Sequence, residues 1–156
     1  MYIHFRADAS NEIGIGHVMR CLTLATELRD RGAQCTFICR KQPGHLLDLI
    51  QSSGIEAIAL EQPSDLSDFA LQKINSQITA HQKWLGVHWY WDAVETIAAL
   101  GKVRPDYLVV DHYAIDKSWE LLLKPNCGRI IVIDDLANRD HHRAIVTGKQ
   151  IGRAHV

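Results

Sequence analysis

The sequence predicts an α/β protein built on a doubly wound parallel sheet, and three observations carry this prediction. Strand and helix patterns alternate over residues 2–60, with short glycine-containing links between them. Two later segments, 107–111 and 129–135, are largely apolar before they end in acids, as expected of strands buried on both faces. Polar residues follow three of the predicted strands, and such sheets bind ligands beyond the carboxyl ends of their strands.

The first five elements follow from hydrophobic periodicity and from the glycines between them. Strands are short apolar runs, whereas the first helix carries one apolar stripe and ends at Gly32. In chain order we predict a strand at Tyr2–Phe5, a helix at Val18–Arg31, a strand at Cys35–Cys39, a helix at Gly44–Ser53 and a strand at Glu56–Leu60.

The later elements are less regular until the last third of the chain. The aromatic segment Leu85–Trp91 fits either a strand or a packed loop. Asp92 is a candidate cap for a helix that runs through Leu100 and ends at Gly101. The other predicted elements are a helix within Leu66–His81, a strand at Tyr107–Asp111, a helix at Asp116–Lys124 and a strand at Arg129–Asp135.

Composition restricts the class of protein. With 156 residues, 47% of them apolar and 22% charged, the chain is long enough for one sizeable core. A net charge of −1 provides no basic surface for nucleic acid or an acidic membrane. We find no apolar run of spanning length and no signal peptide pattern. Four cysteines without zinc spacing indicate buried thiols in a reducing compartment, so we expect a cytoplasmic protein. We predict neither a metal nor a cofactor.

The most informative segment is the turn that contains Gly14, Ile15, Gly16 and His17. Its glycines permit close approach of a ligand, and the N–H groups of the following helix attract anions. A histidine in the first helical turn is a candidate general base. An ordinary turn with a surface histidine explains the pattern about equally well, since short glycine motifs are weak signals. Met19 replaces the third glycine of the dinucleotide fingerprint, which disfavours NAD binding.

Three charged residues around this turn are candidate ligands for sugar hydroxyls, acyl groups or phosphate. Arg6 and Asp8 lie at the end of the first predicted strand, and Arg20 lies one turn into the helix. For Arg20, ordinary surface charge is at least as good an explanation. Asp8 has the stronger case because it lies at the carboxyl end of a strand.

Two further polar groups follow later strands. Asp111, His112 and Tyr113 either line the cleft or cap the turn, and the sequence favours neither role. Asp134 and Asp135 resemble an acid pair, but adjacent residues in an extended chain point in opposite directions. We expect one to cap a turn and the other to be solvated, and we predict no metal site.

Tryptophans are concentrated in one segment, at Trp84, Trp89 and Trp91. They are candidates for a face on which a sugar stacks, although core packing is the commoner role of such residues.

Several of these motifs together resemble one enzyme family. Segments Arg6–Ser10, Ile13–Leu22, Phe37–Arg40, Val109–Tyr113 and Val132–Arg139 resemble the UDP-2,4-diacetamido-2,4,6-trideoxy-β-L-altropyranose hydrolases, nucleotide-sugar hydrolases of pseudaminic acid biosynthesis. The resemblance implies the two-domain glycosyltransferase-B architecture. In that architecture an amino-terminal Rossmann-like domain supplies the catalytic histidine and much of the sugar pocket, and a second domain binds most of the UDP.

The resemblance also implies residue roles. His17 is expected to position and deprotonate a water that attacks the anomeric carbon, with UDP leaving and the configuration inverting. The residues expected near the substrate are Arg6, Asp8, Gly14, Ile15, Gly16, Arg20, Asp111, His112 and Tyr113.

The end of the sequence departs from this family. Residues 1–143 correspond to the amino-terminal domain, whereas residues 144–156 do not resemble it and suggest a cloning-derived or frameshifted tail. We therefore expect the UDP-binding domain to be absent and this chain alone to be inactive. The face that such a domain covers is a candidate surface for self-association. The alternatives are a glycosyltransferase of the same architecture and a non-catalytic module that binds UDP-sugars.

Overall fold

The computed structural model describes residues 1–63, 81–142 and 145–146. Its centre is a six-stranded sheet in which every pair of neighbours is parallel. The strands are β1 (Tyr2–Ala7), β2 (Gln34–Arg40), β3 (Glu56–Leu60), β4 (Tyr107–Asp111), β5 (Arg129–Ile133) and β6 (Ile145–Val146). Their spatial order, β3-β2-β1-β4-β5-β6, is the order of the Rossmann fold. The predicted fold class is confirmed.

Helices connect the strands on both sides of the sheet. They are α1 (Gly16–Asp30), α2 (Leu47–Ser52), α3 (Trp89–Leu100) and α4 (Lys117–Leu123), with 3₁₀ turns at Gln82–Leu85 and Lys124–Asn126. Within the described residues, no helix is long and apolar enough to cross a membrane.

Two apolar layers bury the two faces of the sheet. On one face Phe5 and Phe37 stack with ring centroids 4.9 Å apart, and α1 packs there through Val18. On the other face Leu108 of β4 and Trp119 of α4 are fully buried in an apolar layer to which α3 also contributes. Because neighbouring residues of a strand point to opposite faces, the apolar runs of the sequence supply both layers.

The structure confirms most predicted elements, shifts several of their ends by one or two residues, and moves two helix starts further. The helix predicted from Gly44 begins at Leu47, because Gly44 has a φ of +89° and a side chain there would collide with Asn11. The proposed cap at Asp92 is wrong: α3 begins at Trp89, and His88 caps it by accepting the N–H of Tyr90.

Other predictions fall at the edge of the described residues. The segment Leu85–Trp91 is neither a strand nor a loop alone, because a 3₁₀ turn leads from Gln82 through Gly86 into α3. The helix predicted at 66–81 lies almost wholly outside the described residues. Within the segment that the sequence sets apart as a tail, residues 145–146 pair with β5.

Candidate active site at the carboxyl edge of the sheet

The loop after β1 is shaped by its own hydrogen bonds. Ser10 accepts the N–H groups of Glu12 and Ile13 through its hydroxyl and pairs with Gly14, which has a φ of +81°. Ile15 precedes the first residue of α1 and is 55% exposed. The turn therefore brings the amino-terminal end of α1, with its unpaired N–H groups, to the carboxyl edge of the sheet.

His17, in the first turn of α1, is paired with the last residue of β4. Its Nδ1 lies 2.6 Å from Oδ1 of Asp111, a carboxylate with no exposed side-chain surface. Burial favours protonation of Asp111, but hydrogen bonds from Arg20 and His17 outweigh it and lower the pKa of that carboxyl. An ionised carboxylate only accepts hydrogen bonds, so Nδ1 is the donor, and in the neutral imidazole Nε2 carries the lone pair.

Arg20 lies three residues after His17 and therefore on the same side of α1. Its guanidinium donates to both oxygens of Asp111, from Nε at 2.5 Å and from Nη2 at 2.6 Å. Nη1 also lies 3.3 Å from Asp135, and 37% of the Arg20 side chain is exposed. The side chain thus holds Asp111 in place while part of its charge faces solvent.

Tyr113 completes this group beyond the end of β4. Its hydroxyl donates to Oδ1 of Asp135 at 2.6 Å, and its ring meets that of His17 edge-on, with centroids 4.4 Å apart. Burial, reinforced by the Asp135 carboxylate, raises the pKa of Tyr113 to about 12. The hydroxyl therefore stays protonated at neutral pH. We call His17, Arg20, Asp111, Tyr113 and Asp135 the open cluster.

A second group of charges lies behind the open cluster. Arg6 forms bidentate pairs with Asp8 and with Asp92, and Arg40 also bonds Asp92 at 2.8 Å. Nε2 of His112 lies 3.0 Å from Asp8. We call these five residues the buried cluster, and none of its arginine or aspartate side chains is exposed.

The buried cluster changes how three predicted site residues are interpreted. Arg6, Asp8 and His112 lie beneath the surface with their polar side-chain groups bonded to protein atoms. Their predicted contact with substrate stays a prediction. In this conformation they support the turn and the end of β4 rather than face solvent.

Sequence reasoning missed two residues that organise the site. Asp92 was assigned to a cap, although a helix starting at Trp89 would place it with Thr96 on the inward face, four residues apart. Asp135 was expected to be solvated or to cap a turn, yet it bonds Tyr113 and Arg20. Its neighbour Asp134 points the other way, accepting Leu136 N–H and pairing with His141.

The three tryptophans do not form one face. The ring of Trp84 lies 6.0 Å from that of Tyr113, whereas Trp89 contacts His88 and the side chain of Trp91 is 61% exposed. Among the described residues, no group of three or more histidines, cysteines and acids is arranged to hold a metal ion.

Comparison with known proteins adds two findings, although no known family profile matches the chain. Over 142 residues it is 26% identical to the UDP-2,4-diacetamido-2,4,6-trideoxy-beta-L-altropyranose hydrolase of Campylobacter jejuni subsp. jejuni, covering 91% of this chain and 39% of that relative. The chain thus spans about two fifths of the relative. It also resembles the crystal structure of CalG4, the calicheamicin glycosyltransferase, with a TM-score of 0.53 at 22% identity, covering 86% of this chain and 32% of that one. This second similarity concerns the fold alone.

Proposed function

We propose that this chain forms the sugar-binding and catalytic half of a UDP-sugar hydrolase, with His17 as general base. The observation that carries the proposal is the short bond between Nδ1 of His17 and the ionised carboxylate of Asp111. No described residue bonds Nε2, so its lone pair is free to accept a proton. The similarity to the Campylobacter hydrolase supplies the substrate class.

The reaction follows from this arrangement. Nε2 of His17 accepts a proton from a water molecule while the water oxygen forms a bond to the anomeric carbon. The bond from that carbon to the diphosphate oxygen breaks, and its electron pair leaves with UDP. Asp111 stabilises the imidazolium that forms, as the aspartate of a serine protease triad does. Attack opposite the leaving group inverts the anomeric configuration.

The start of α1 beside His17 suits an anionic leaving group. The N–H groups there favour negative charge, and Arg20, although paired with Asp111 and Asp135, keeps part of its side chain exposed. Gly14, Ile15 and Gly16 form the turn in front of them, so the backbone there is open to close approach. We propose that this turn meets the diphosphate, while the protonated hydroxyl of Tyr113 keeps Asp135 in place.

We further propose that efficient turnover needs a second domain. The chain covers 39% of its hydrolase relative, and nothing in the open cluster provides a base-stacking or ribose site. The matched experiment compares this chain with a version extended after residue 143 by the part of the Campylobacter relative that the chain does not cover. UDP release from the altropyranose nucleotide is measured for both.

His17→Ala in the active form should reduce UDP release by about 100-fold to 10,000-fold, the usual contribution of general acid–base catalysis. Thr23→Ala, on the exposed side of the same helix, is the control and should leave the rate unchanged. A His17→Ala rate close to the unsubstituted one contradicts the proposal. A glycosylated acceptor in place of free sugar would identify a glycosyltransferase, and binding without product would identify a binding module.

A further inference from the structure

Two aromatic side chains beside the open cluster have no part in the reaction described above. His81 and Trp84 come from the 3₁₀ turn before α3, and their rings meet at 4.8 Å. Both also contact the ring of Tyr113, at 5.6 Å for His81 and 6.0 Å for Trp84. Because Tyr113 also contacts His17, the four rings form one continuous aromatic group.

The loop after β2 holds this group in position. Nε2 of Gln42 donates to the backbone carbonyl of Trp84 at 2.7 Å. The 3₁₀ turn ends at Gly86, whose φ of +79° favours glycine. The backbone of Trp84 is therefore anchored, and the residue as a whole is only partly buried.

Trp119 shows what a purely structural tryptophan looks like in the same fold. It has no exposed surface, and its indole N–H donates to Asp92 at 3.0 Å. Trp84 is only partly buried and lies against Tyr113 of the open cluster. The uncovered part of its surface is therefore available to the apolar face of a ligand that binds there.

We propose that His81 and Trp84 form a sugar-binding wall that contacts the pyranose ring, a step that rests on the function proposed above. Sugar pockets combine apolar aromatic surface with a few fixed polar groups, and the open cluster supplies the polar part. The indole and the imidazole of His17 both contact Tyr113, so their separation cannot exceed the two centroid distances combined. A sugar whose anomeric carbon lies at His17 therefore extends its C–H face and its acylamino or methyl groups towards Trp84.

The test uses this chain and observes the indole N–H signals of its four tryptophans by NMR, assigned through single substitutions. The probes are 2,4-diacetamido-2,4,6-trideoxy-L-altropyranose and, separately, UDP. We expect the sugar to shift the signals of Trp84 and of the His17 ring in a saturable manner. The signals of Trp91 and Trp119 should not move, and UDP should leave Trp84 unaffected.

The other outcomes separate the two proposals. A shift at His17 without one at Trp84 overturns the sugar-binding wall and leaves the proposed function intact. A shift at Trp84 alone supports the wall and contradicts the assignment of His17. A sugar that moves neither signal overturns the wall, and an equal shift of Trp84 with UDP assigns that surface to the nucleotide instead.

Substitutions provide a second readout of the same surface. Trp84→Leu should weaken sugar binding roughly threefold to tenfold, the range expected for loss of one aromatic contact, and Trp84→Phe should retain most of the affinity. Trp91→Leu, at an exposed position on α3, is the matched control and should bind normally. An unchanged Trp119 signal in each variant shows that the core is intact. Equal affinity of Trp84→Leu and the unsubstituted chain overturns the proposal.

Discussion

The open and buried clusters contain the same kinds of residue, yet they differ in how far their polar groups are paired and exposed. In the buried cluster, Arg6, Asp8 and Asp92 bond one another with no exposed surface. In the open cluster, Arg20 remains 37% exposed and Nε2 of His17 has no partner among the described residues. Buried charges that are paired with one another stabilise the fold, whereas a basic atom without a partner is available for chemistry.

The carboxylates of both clusters have lowered pKa values, with different partners as the cause. Burial acts to raise the pKa of Asp8 and Asp92, but the Arg6 guanidinium outweighs it and holds both below their usual range. Arg6 itself has a raised pKa, because its carboxylate partners outweigh its burial. The pKa of Asp135, which is partly exposed, is lowered chiefly by the hydrogen bond from Tyr113. Arg6, Asp8 and Asp92 of the buried cluster are therefore charged at neutral pH.

The largest loss of stability is expected from Asp92→Ala, in the buried cluster. It leaves Arg6 and Arg40 buried without one of their carboxylates, and loss of one partner from a buried pair costs about 3–5 kcal/mol. Denaturant unfolding measures the loss. Asp30→Ala, which removes an exposed ion pair with Arg29, is the control and should cost about 1 kcal/mol or less. An equal cost for both variants would show that the buried cluster is not structural.

Asp111→Asn, in the open cluster, should reduce activity strongly and stability less. The amide keeps the shape of the side chain but no longer fixes the proton on Nδ1 of His17, so we expect UDP release to fall by roughly 100-fold or more. Stability should change less than in Asp92→Ala, because Arg20 can turn to solvent. If Asp111→Asn destabilised the fold as much as Asp92→Ala does while the folded variant kept its normal rate of UDP release, Asp111 would belong with the structural residues.

Acid should weaken the fold through the same carboxylates. Asp8, Asp92 and Asp111 have lowered pKa values, so the native state binds fewer protons than the unfolded chain. Their stabilisation is complete above the pKa of aspartate in the unfolded chain, about 3.9, and is lost as pH falls through the pKa values of the folded state. Unfolding free energies between neutral pH and pH 3 measure this, and a flat profile contradicts it.

The smallest expected effect concerns His141, which joins Glu120 of α4 to Asp134 after β5. Burial lowers its pKa, but the two carboxylates outweigh it and raise the pKa overall. Its contribution is therefore complete below the unfolded value of about 6.5 and is lost as pH rises through the folded value. His141→Gln should remove this part of the pH dependence of stability. If His141→Gln showed the same pH dependence of stability as the unsubstituted chain, another group would be responsible for that dependence.

Local pattern predicted the sheet because the strands are short apolar runs with glycine-containing links. β3 was placed at Glu56–Leu60, as observed, and β4 at Tyr107–Asp111 likewise. These boundaries depend on residues near one another in sequence. Asp92 shows the limit: its partner Arg6 is 86 residues away, and periodicity alone does not distinguish a cap from a buried ion pair.

The site was predictable to the same extent. The sequence places His17 and Asp111 at one edge because the carboxyl ends of parallel strands lie at the same edge of a sheet. Their pairing 94 residues apart, and the division between open and buried charges, required the fold itself. His81 was not singled out, because nothing local marks it as a neighbour of Tyr113.

The central claim is that His17 activates a water that attacks the anomeric carbon of a UDP-sugar. Hydrolysis of the altropyranose nucleotide by the extended chain in H₂¹⁸O tests it most directly, with mass spectrometry of both products at early time points. We predict one ¹⁸O in the released sugar, none in UDP, and almost no product from His17→Ala. Label in the β-phosphate of UDP, or normal turnover by His17→Ala, would contradict the claim.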